Sequence, residues 1–153
     1  MTKEDVEVNL SVIQGTLFIL DTPVHALIDP GSTYSFISHA LARNLRGETE
    51  SMGCLMVILT PMGRSMKSMK MVRGCEVSLS NVRFQAYLIL LEVYDFDILL
   101  GMDFLSNYDA NIDYRRKIMT IRKPEGKWVK FRGQGNLKIR KVISAIKVIK
   151  MMS

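Results

Sequence analysis

The sequence predicts an all-β domain, in which a closed or folded barrel-like sheet is accompanied by one or two short helices. About ten short apolar runs of strand length follow one another along the chain, and turn residues separate them. Only two segments inside this region have helical spacing instead. The 153 residues, of which 48% are hydrophobic and 24% charged, suffice for one globular domain with its own core.

The first part of the chain is expected to form three strands and then a helix. The strands are expected at residues 8–13, 15–20 and 24–28. Gln14-Gly15 separates the first two strands, and Asp29-Pro30-Gly31 is a turn that ends the third. Residues 35–45 then have the spacing of one apolar helical face, and Ser32 or Thr33 is the expected N-cap.

The second part is expected to form further strands and one more short helix. The strands are expected at residues 54–59, 76–79, 84–91, 98–100, 112–114, 118–121 and 128–131. The residues after the first of these, Thr60-Pro61-Met62-Gly63, are typical of a turn, and residues 64–73 are basic and rich in methionine. Residues 102–108 are expected to form the short helix, with Asp103 in its first turn.

Three regions are expected along the chain. Residues 1–9 are an N-terminal tail, residues 10–133 the folded domain, and residues 134–153 a linker followed by a basic amphipathic segment. In the last region, apolar residues recur at helical spacing between lysines and arginines, which predicts a helix outside the core. These apolar residues are Ile139, Val142, Ile143, Ile146 and Ile149.

Charge is unevenly distributed along the chain. Residues 1–114 carry 8 Lys/Arg and 14 Asp/Glu, a net charge of −6, whereas residues 115–153 carry 13 Lys/Arg and only Glu125, a net charge of +12. The basic end is explained either by a weak nucleic-acid contact or by a solvated face beside another domain. The aromatic residues there alternate on expected strands, which favours core packing over base stacking. They are Tyr114, Trp128 and Phe131.

A cytoplasmic protein without a membrane partner is expected. The first residues are acidic and polar, unlike a signal peptide, and no apolar run reaches the length of a membrane span. In a reducing compartment, Cys54 and Cys75 are expected to be small buried hydrophobic residues. Because His25 and His39 have no metal-ligand spacing with the cysteines, no metal is expected.

Asp29 is the first candidate for chemistry. It follows the apolar residues Ala26-Leu27-Ile28, and a carboxylate at the end of a buried strand is costly unless it has partners or a role. A β-turn with Pro30 at its second position and Gly31 at its third is the structural alternative, and it would explain Asp-Pro-Gly taken alone.

Three segments together give Asp29 a context. They are Leu27-Ile28-Asp29-Pro30-Gly31-Ser32-Thr33 with Ser35-Phe36-Ile37, Thr60-Pro61-Met62-Gly63, and Asp97-Ile98-Leu99-Leu100-Gly101-Met102-Asp103-Phe104-Leu105. In their order and spacing the chain resembles the retropepsin family of aspartic proteases, and within it the proteases of gypsy-type plant retrotransposon polyproteins. The similarity covers residues 10–133. The end of the chain, from Val142 to Met152, also resembles the connector that leads to the reverse transcriptase.

The resemblance implies a retropepsin-like closed barrel half that is complete only as a dimer. Asp29 matches the catalytic aspartate, and Pro30, Gly31, Ser32 and Thr33 match the rest of the active-site loop. The apolar support under this loop is matched by Ile98, Leu99, Leu100 and Gly101. The flap that closes over the substrate is matched by Thr60, Pro61, Met62 and Gly63, and extends to about residue 74.

The resemblance also implies an aspartic endopeptidase that acts on a peptide or polyprotein without metal or organic cofactor. Two close carboxylates share one proton, so that one can act as general base and the other as general acid. The chain has no second Asp-Thr-Gly or Asp-Ser-Gly, and Asp21-Thr22-Pro23 lacks the glycine. The second carboxylate must therefore come from another copy, which predicts a homodimer with Asp29 of each chain near the two-fold axis.

Pro30 departs from the family pattern, in which Ser or Thr follows the catalytic aspartate and its hydroxyl bonds across the dimer. Proline has neither that hydroxyl nor a backbone N–H. Three functions therefore stay open: an active endopeptidase, a catalytically dead remnant that only dimerises or binds, and a nucleic-acid-associated module acting through residues 115–153.

Overall fold

The structure of the protein is a computed structural model, which describes residues 12–45, 49–59, 65–134 and 147–152. Of the last segment it describes the backbone only. The described strands are β1 Ile13–Ile19, β2 Thr22–Ile28, β3 Phe36–Ser38, β4 Thr49–Leu59, β5 Ser65–Leu79, β6 Val82–Leu91, β7 Ile98–Leu100, β8 Asn111–Asp113, β9 Ile118–Arg122, β10 Trp128–Arg132 and β11 Lys147–Met152. The described helices are α1 His39–Asn44 and α2 Met102–Asn107.

The strands form two sheets. The larger sheet has the order β1-β2-β7-β3-β6-β5-β4-β11, and an additional pairing between β1 and β5 closes part of it into a barrel. The smaller sheet has the order β10-β9-β8, with antiparallel pairing throughout. The expectation of a β-rich, barrel-like domain with two short helices is confirmed.

The central strands of the larger sheet are covered on both faces. Ala26 and Ile28 of β2 lie in the main hydrophobic cluster, whereas Leu27 between them lies in a second cluster on the other face. In β7, Leu99 likewise lies in the second cluster. Residues buried on both faces of a sheet read as continuous apolar runs, which is the pattern of these two strands. Asp29 therefore directly follows the part of β2 that is buried on both faces, Ala26 to Ile28.

The second expected strand begins before Gly15, and the first, residues 8–13, lies mostly outside the described residues. β1 runs without a break from Ile13 to Ile19, and Gly15 lies inside it rather than in a turn. A Cβ added at Gly15 would stand 2.4 Å from Cζ of Phe131, so the glycine makes room for the Phe131 ring. The expected break at Gln14-Gly15 is wrong because this glycine serves close packing and not a turn.

The expected helix over residues 35–45 is only partly present. β3 occupies Phe36–Ser38, pairing with β6 on one side and β7 on the other, and α1 begins at His39. The N-cap is Ser38, whose hydroxyl accepts from the backbone N–H of Leu41 at 3.1 Å. Ser32 and Thr33 are therefore not the N-cap. Pairing with two neighbouring strands overrides a local helical pattern in a buried segment.

The end of the chain also departs from expectation. Residues 147–152 form β11, which pairs antiparallel with β4, so the expectation of a helix is wrong for these residues. An edge strand presents unpaired backbone groups, and pairing with β4 satisfies them on one side. The remainder of the expected helix, residues 139–146, lies outside the described residues, as does the expected tail 1–9. The described helices are all too short to cross a membrane.

Candidate active site

Asp29 directly follows β2 at the edge of the barrel. Its backbone N–H donates to the carbonyl of Leu100 at 2.9 Å, continuing the parallel pairing of Ile28 with Leu100. The residue is 1% exposed, and among the described residues it is the only buried carboxylate. The strand β7, which is 70 residues away in sequence, therefore fixes the position of Asp29.

A tight turn follows Asp29. The backbone N–H of Ser32 donates to the carbonyl of Asp29 at 3.1 Å, which closes a β-turn with Pro30 and Gly31 at its centre. The N–H of Gly31 donates to Oδ1 of Asp29 at 2.9 Å. A Cβ added at Gly31 would lie 3.1 Å from that same oxygen, so a side chain there would crowd the carboxylate. The turn thus both carries Asp29 and binds one of its oxygens.

Burial changes the acidity of Asp29. Removal from water raises its pKa from 3.8 to about 6, and the hydrogen bond from Gly31 opposes this rise. The carboxyl group therefore keeps its proton in mild acid, where an exposed aspartate has lost it. A carboxyl that carries a proton near pH 5 can donate it, which is what a general acid requires.

The start of α2 holds the far side of the loop. The backbone N–H of Met102 donates to the carbonyl of Ser32 at 2.7 Å, and that of Asp103 donates to the carbonyl of Thr33 at 3.1 Å. A Cβ added at Gly101 would stand 2.3 Å from the carbonyl oxygen of Tyr34. Only glycine lets α2 approach the loop this closely.

Ser35 is a site residue to which the sequence analysis gave no role. It is buried, its hydroxyl donates to Oδ1 of Asp103 at 2.6 Å, and its Oγ accepts from the backbone N–H of Gly101 at 2.9 Å. Asp103 also accepts from the N–H of Phe104, which agrees with its expected place in the first turn of α2. The sequence offered Ser35 as part of the segment Ser35-Phe36-Ile37 after the Asp29 loop, but the sequence does not show that its partner is Asp103.

The hydroxyl groups of the loop point in different directions. Ser32 is buried, and its hydroxyl donates to the carbonyl of Tyr34 at 2.8 Å inside the same loop. Thr33 is exposed and Pro30 is half-buried. The Ser32 hydroxyl therefore donates its hydrogen bond within its own chain. It is not free to donate across a dimer in place of the hydroxyl that Pro30 lacks.

Asp97 is a second acidic residue at the base of the site, and its contacts are with the backbone. Its Oδ2 accepts from the N–H of His25 at 2.7 Å, and its own N–H donates to the carbonyl of His25 at 2.9 Å. Its carbonyl accepts from the N–H of Ser38. These bonds hold the start of β7 between β2 and β3. Asp97 is therefore a residue that positions the strands.

The hairpin of β4 and β5 contains the expected flap. Its tip, Thr60 to Gly63, lies outside the described residues. The two arms pair antiparallel, with an irregularity in register between Ser51 and Met56, where Gly53 of β4 adopts positive φ. A second irregularity, where Gly74 adopts positive φ, lies in the pairing of β5 with β6. Such bulges bend a strand and increase its twist. The β4–β5 hairpin is therefore expected to bend near Gly53, between its tip and the rest of the sheet.

The structure brings together Asp29, the loop residues 30–33 and the expected support, Ile98 to Gly101. Within the described part of the chain, no group of three His, Cys, Asp or Glu side chains could hold a metal ion. Cys75 is buried as expected, and Cys54 is half-buried. The catalytic role of Asp29 stays a prediction, because position alone does not demonstrate activity.

Comparison with known proteins agrees with this geometry. The sequence profile described as retroviral aspartyl protease matches residues 1–127. No curated protein matches the chain. Among the solved structures that match is the crystal structure of the retroviral protease-like domain of Ddi1 from Leishmania major, with 15% identity and a TM-score of 0.58. The match covers 84% of this chain and 96% of that chain, and at this identity it shows the fold alone. The profile match spans most of the sequence, so the chain belongs to the retroviral aspartyl protease family.

Proposed function

We propose that this protein is an aspartic endopeptidase of a retrotransposon polyprotein, and that it acts as a homodimer in which each chain supplies Asp29. The observation that carries the proposal is the buried carboxylate on a loop held by β7 and α2. Among the described residues no second carboxylate is buried beside it, so a single chain offers half of a catalytic pair.

The proposed chemistry needs two carboxyl groups in different protonation states. Two carboxylates near a two-fold axis repel each other, and they share one proton instead of both ionising. The ionised group takes a proton from water, whose oxygen attacks the scissile carbonyl carbon, while the protonated group gives its proton to the carbonyl oxygen. Collapse of this intermediate breaks the C–N bond. The amine takes the proton that the first carboxyl gained from water, and a hydroxyl of the intermediate returns a proton to the second carboxylate as the product acid forms. The raised pKa of Asp29 supports retention of the shared proton in mild acid.

The rigidity of the loop supports the same role. Asp29 is held by Leu100 behind it and by Gly31 beside it, and α2 donates to the next two carbonyls of the loop. Groups that are already oriented before the substrate arrives need no rearrangement during the reaction. An extended peptide would bind between this loop and the β4–β5 hairpin, in accord with the flap assigned by resemblance.

A peptide-cleavage assay tests the proposal. Purified protein is incubated at mildly acid pH with a peptide library, with and without a transition-state-type inhibitor of aspartic proteases. We expect activity per chain to rise with protein concentration, because the active species is a dimer, and to disappear in Asp29→Asn. The matched control is Asp21→Asn, since Asp21 is exposed and lies in the Asp21-Thr22-Pro23 segment that lacks the glycine. Cleavage that persists in Asp29→Asn, or in a proven monomer, rules out the shared pair.

The alternative function is a non-catalytic domain of the same fold that dimerises or binds peptides. The specific observation in its favour is the loop itself: Pro30 has no hydroxyl, and Ser32 donates its own hydroxyl to Tyr34. The same assay, combined with sedimentation, separates the two functions. A non-catalytic dimer would sediment as a dimer and would release no peptide fragments at any protein concentration.

A further inference from the structure

The smaller sheet has one apolar and one basic face. Met119 and Ile121 of β9 and Val129 and Phe131 of β10 are buried in the main core. The residues that alternate with them along β10 are exposed, namely Trp128, Lys130 and Arg132. Trp128 pairs with Arg122 of β9, so these four side chains share the outer face. The expectation that the aromatic residues of the basic end pack in the core is wrong for Trp128 and Tyr114, which are exposed, and it holds for Phe131.

The surroundings of this face are strongly basic. Residues 115–132 contain eight cations and one acid, Glu125. The cations are Arg115, Arg116, Lys117, Arg122, Lys123, Lys127, Lys130 and Arg132. In the described part of the chain, two of them make ion pairs, Arg116 with Asp113 at 3.9 Å and Arg122 with Asp109 at 2.7 Å. The charge of the face is therefore largely uncompensated by the protein's own acids.

Trp128 adds an aromatic surface to the cations. Its side chain is 56% exposed, and Cζ of Arg122 lies 5.4 Å from the ring centroid. Apolar surface left in water is costly, and an exposed indole beside free cations is a recurrent feature of surfaces that bind single strands. On such surfaces, cations bind the phosphates and aromatic rings stack on the bases.

We propose that the outer face of β9 and β10 binds single-stranded nucleic acid, with Lys130 and Arg132 on the phosphates and a base stacked on Trp128. The proposal does not depend on proteolysis. The other end of β10 faces the barrel, where Gly133 packs against Ile13, the partner of Ile28. Trp128 stands at the opposite end of β10, so the stacked base would lie at the end of this strand that is farther from the barrel.

Charge alone would also attract an acidic polypeptide or duplex DNA. The indole favours the single strand over both, because an unpaired base offers an exposed aromatic face whereas duplex bases are already stacked. A polyglutamate competitor and a duplex of matched length therefore serve as the two alternatives in the test.

Trp128 is the only tryptophan of the chain, so its fluorescence reports on this face alone. The full-length protein is titrated with a 20-nucleotide oligothymidylate while tryptophan emission is recorded. Fluorescence anisotropy of the same oligonucleotide carrying a label gives the affinity. We expect quenching upon binding. Trp128→Ala should weaken binding roughly 5- to 150-fold, and Trp128→Phe should retain most of the affinity, since stacking needs only an aromatic ring.

Salt dependence tests the cations. Each phosphate contact contributes about 0.7 to the slope of log affinity against log salt for single strands. The double variant Lys130→Gln/Arg132→Gln should therefore lower that slope by about 1.4. The matched control is Lys67→Gln/Lys70→Gln, which removes two exposed lysines of β5 and should leave the slope unchanged. Thermal melting verifies that all variants remain folded.

Each remaining outcome contradicts the proposal. Binding without quenching, or equal affinity of Trp128→Ala and the parent protein, would show that no base stacks on Trp128. Equal competition by polyglutamate would make the face a site for acidic polypeptides, and equal affinity for the duplex would make it a general phosphate-binding surface. If no oligonucleotide binds, the outer face of β9 and β10 is only a solvated basic surface.

Discussion

Ser35 and Asp103 lie 68 residues apart in sequence, yet the serine hydroxyl donates to the aspartate Oδ1 at 2.6 Å. The same serine oxygen accepts from the backbone N–H of Gly101. One side chain therefore connects the segment after the active-site loop to the start of α2. The bond forms beneath the loop that carries Asp29, where it contributes to holding that loop in place.

Removal of the Ser35 hydroxyl should destabilise the domain. Ser35→Ala leaves the buried N–H of Gly101 without its acceptor, and an unsatisfied buried donor costs about 1–3 kcal/mol. Denaturant unfolding measures the loss, and Ser106→Ala, on the exposed side of α2, is the control with a change within about 0.5 kcal/mol. Equal stabilities of the two variants would mean that the Ser35 contacts contribute nothing net.

The stability of the monomer should depend on the protonation of Asp29. Its folded-state pKa of about 6 lies above the unfolded value of 3.8, so the folded state binds more protons between these values. The contribution of protonated Asp29 to the free energy of unfolding is fully present below pH 3.8. It is lost as the pH rises through 6, and the loss reaches up to about 3 kcal/mol.

Comparison with Asp29→Asn isolates this effect, because asparagine stays neutral at every pH. The difference in free energy of unfolding, variant minus parent protein, should grow in favour of the variant from pH 4 to pH 7.5 and then level off. A difference that stays constant over this range would show that Asp29 has an ordinary pKa in the folded monomer.

Replacement of Pro30 by serine should strengthen the proposed dimer. A hydroxyl at this position would form one bond in each direction across the two-fold axis, and two bonds of about 0.5–1.5 kcal/mol lower the dissociation constant roughly 5- to 150-fold. Pro30→Ser should also raise cleavage at low protein concentration. Sedimentation and peptide cleavage at matched concentrations measure both effects.

Loss of a proline also increases the freedom of the unfolded chain, so that effect needs its own control. Pro23→Ser removes an exposed proline of β2 that lies outside the loop, and it should change stability without changing association. If Pro30→Ser associates no better than Pro23→Ser, the missing hydroxyl is not what weakens the dimer.

Truncation after Gln134 should leave the main core folded and uncover the edge of β4. The core residues all precede the cut, but β11 pairs with Leu55 to Leu59. Backbone amides of this segment that donate to β11 should exchange faster with deuterium, while amides of β2 and β7 keep their protection. Collapse of the whole domain would instead make residues 135–153 part of the folding unit.

The sequence predicted the β-rich fold and placed Asp29 correctly at the end of a strand, because apolar runs and turn residues are local signals. It mistook the segment 36–38 for helix, since pairing of β3 between β6 and β7 is a long-range contact that periodicity does not report. The role of Ser35 was missed for the same reason, because its partners lie in α2 and at Gly101. Exposure of Trp128 depended on which face of β10 meets the core, and alternation alone does not identify that face.

The backbone N–H of Asp29 donates to the carbonyl of Leu100, and the carbonyls of Ser32 and Thr33 accept from the N–H groups of Met102 and Asp103. During synthesis on the ribosome, the aspartate emerges long before these partners do. A nascent chain that ends before β7 can form the β1–β2 hairpin but lacks every group that fixes the loop from behind. The Asp29 loop is therefore fully held only after most of the domain has been translated, and a shorter nascent chain carries Asp29 without these partners.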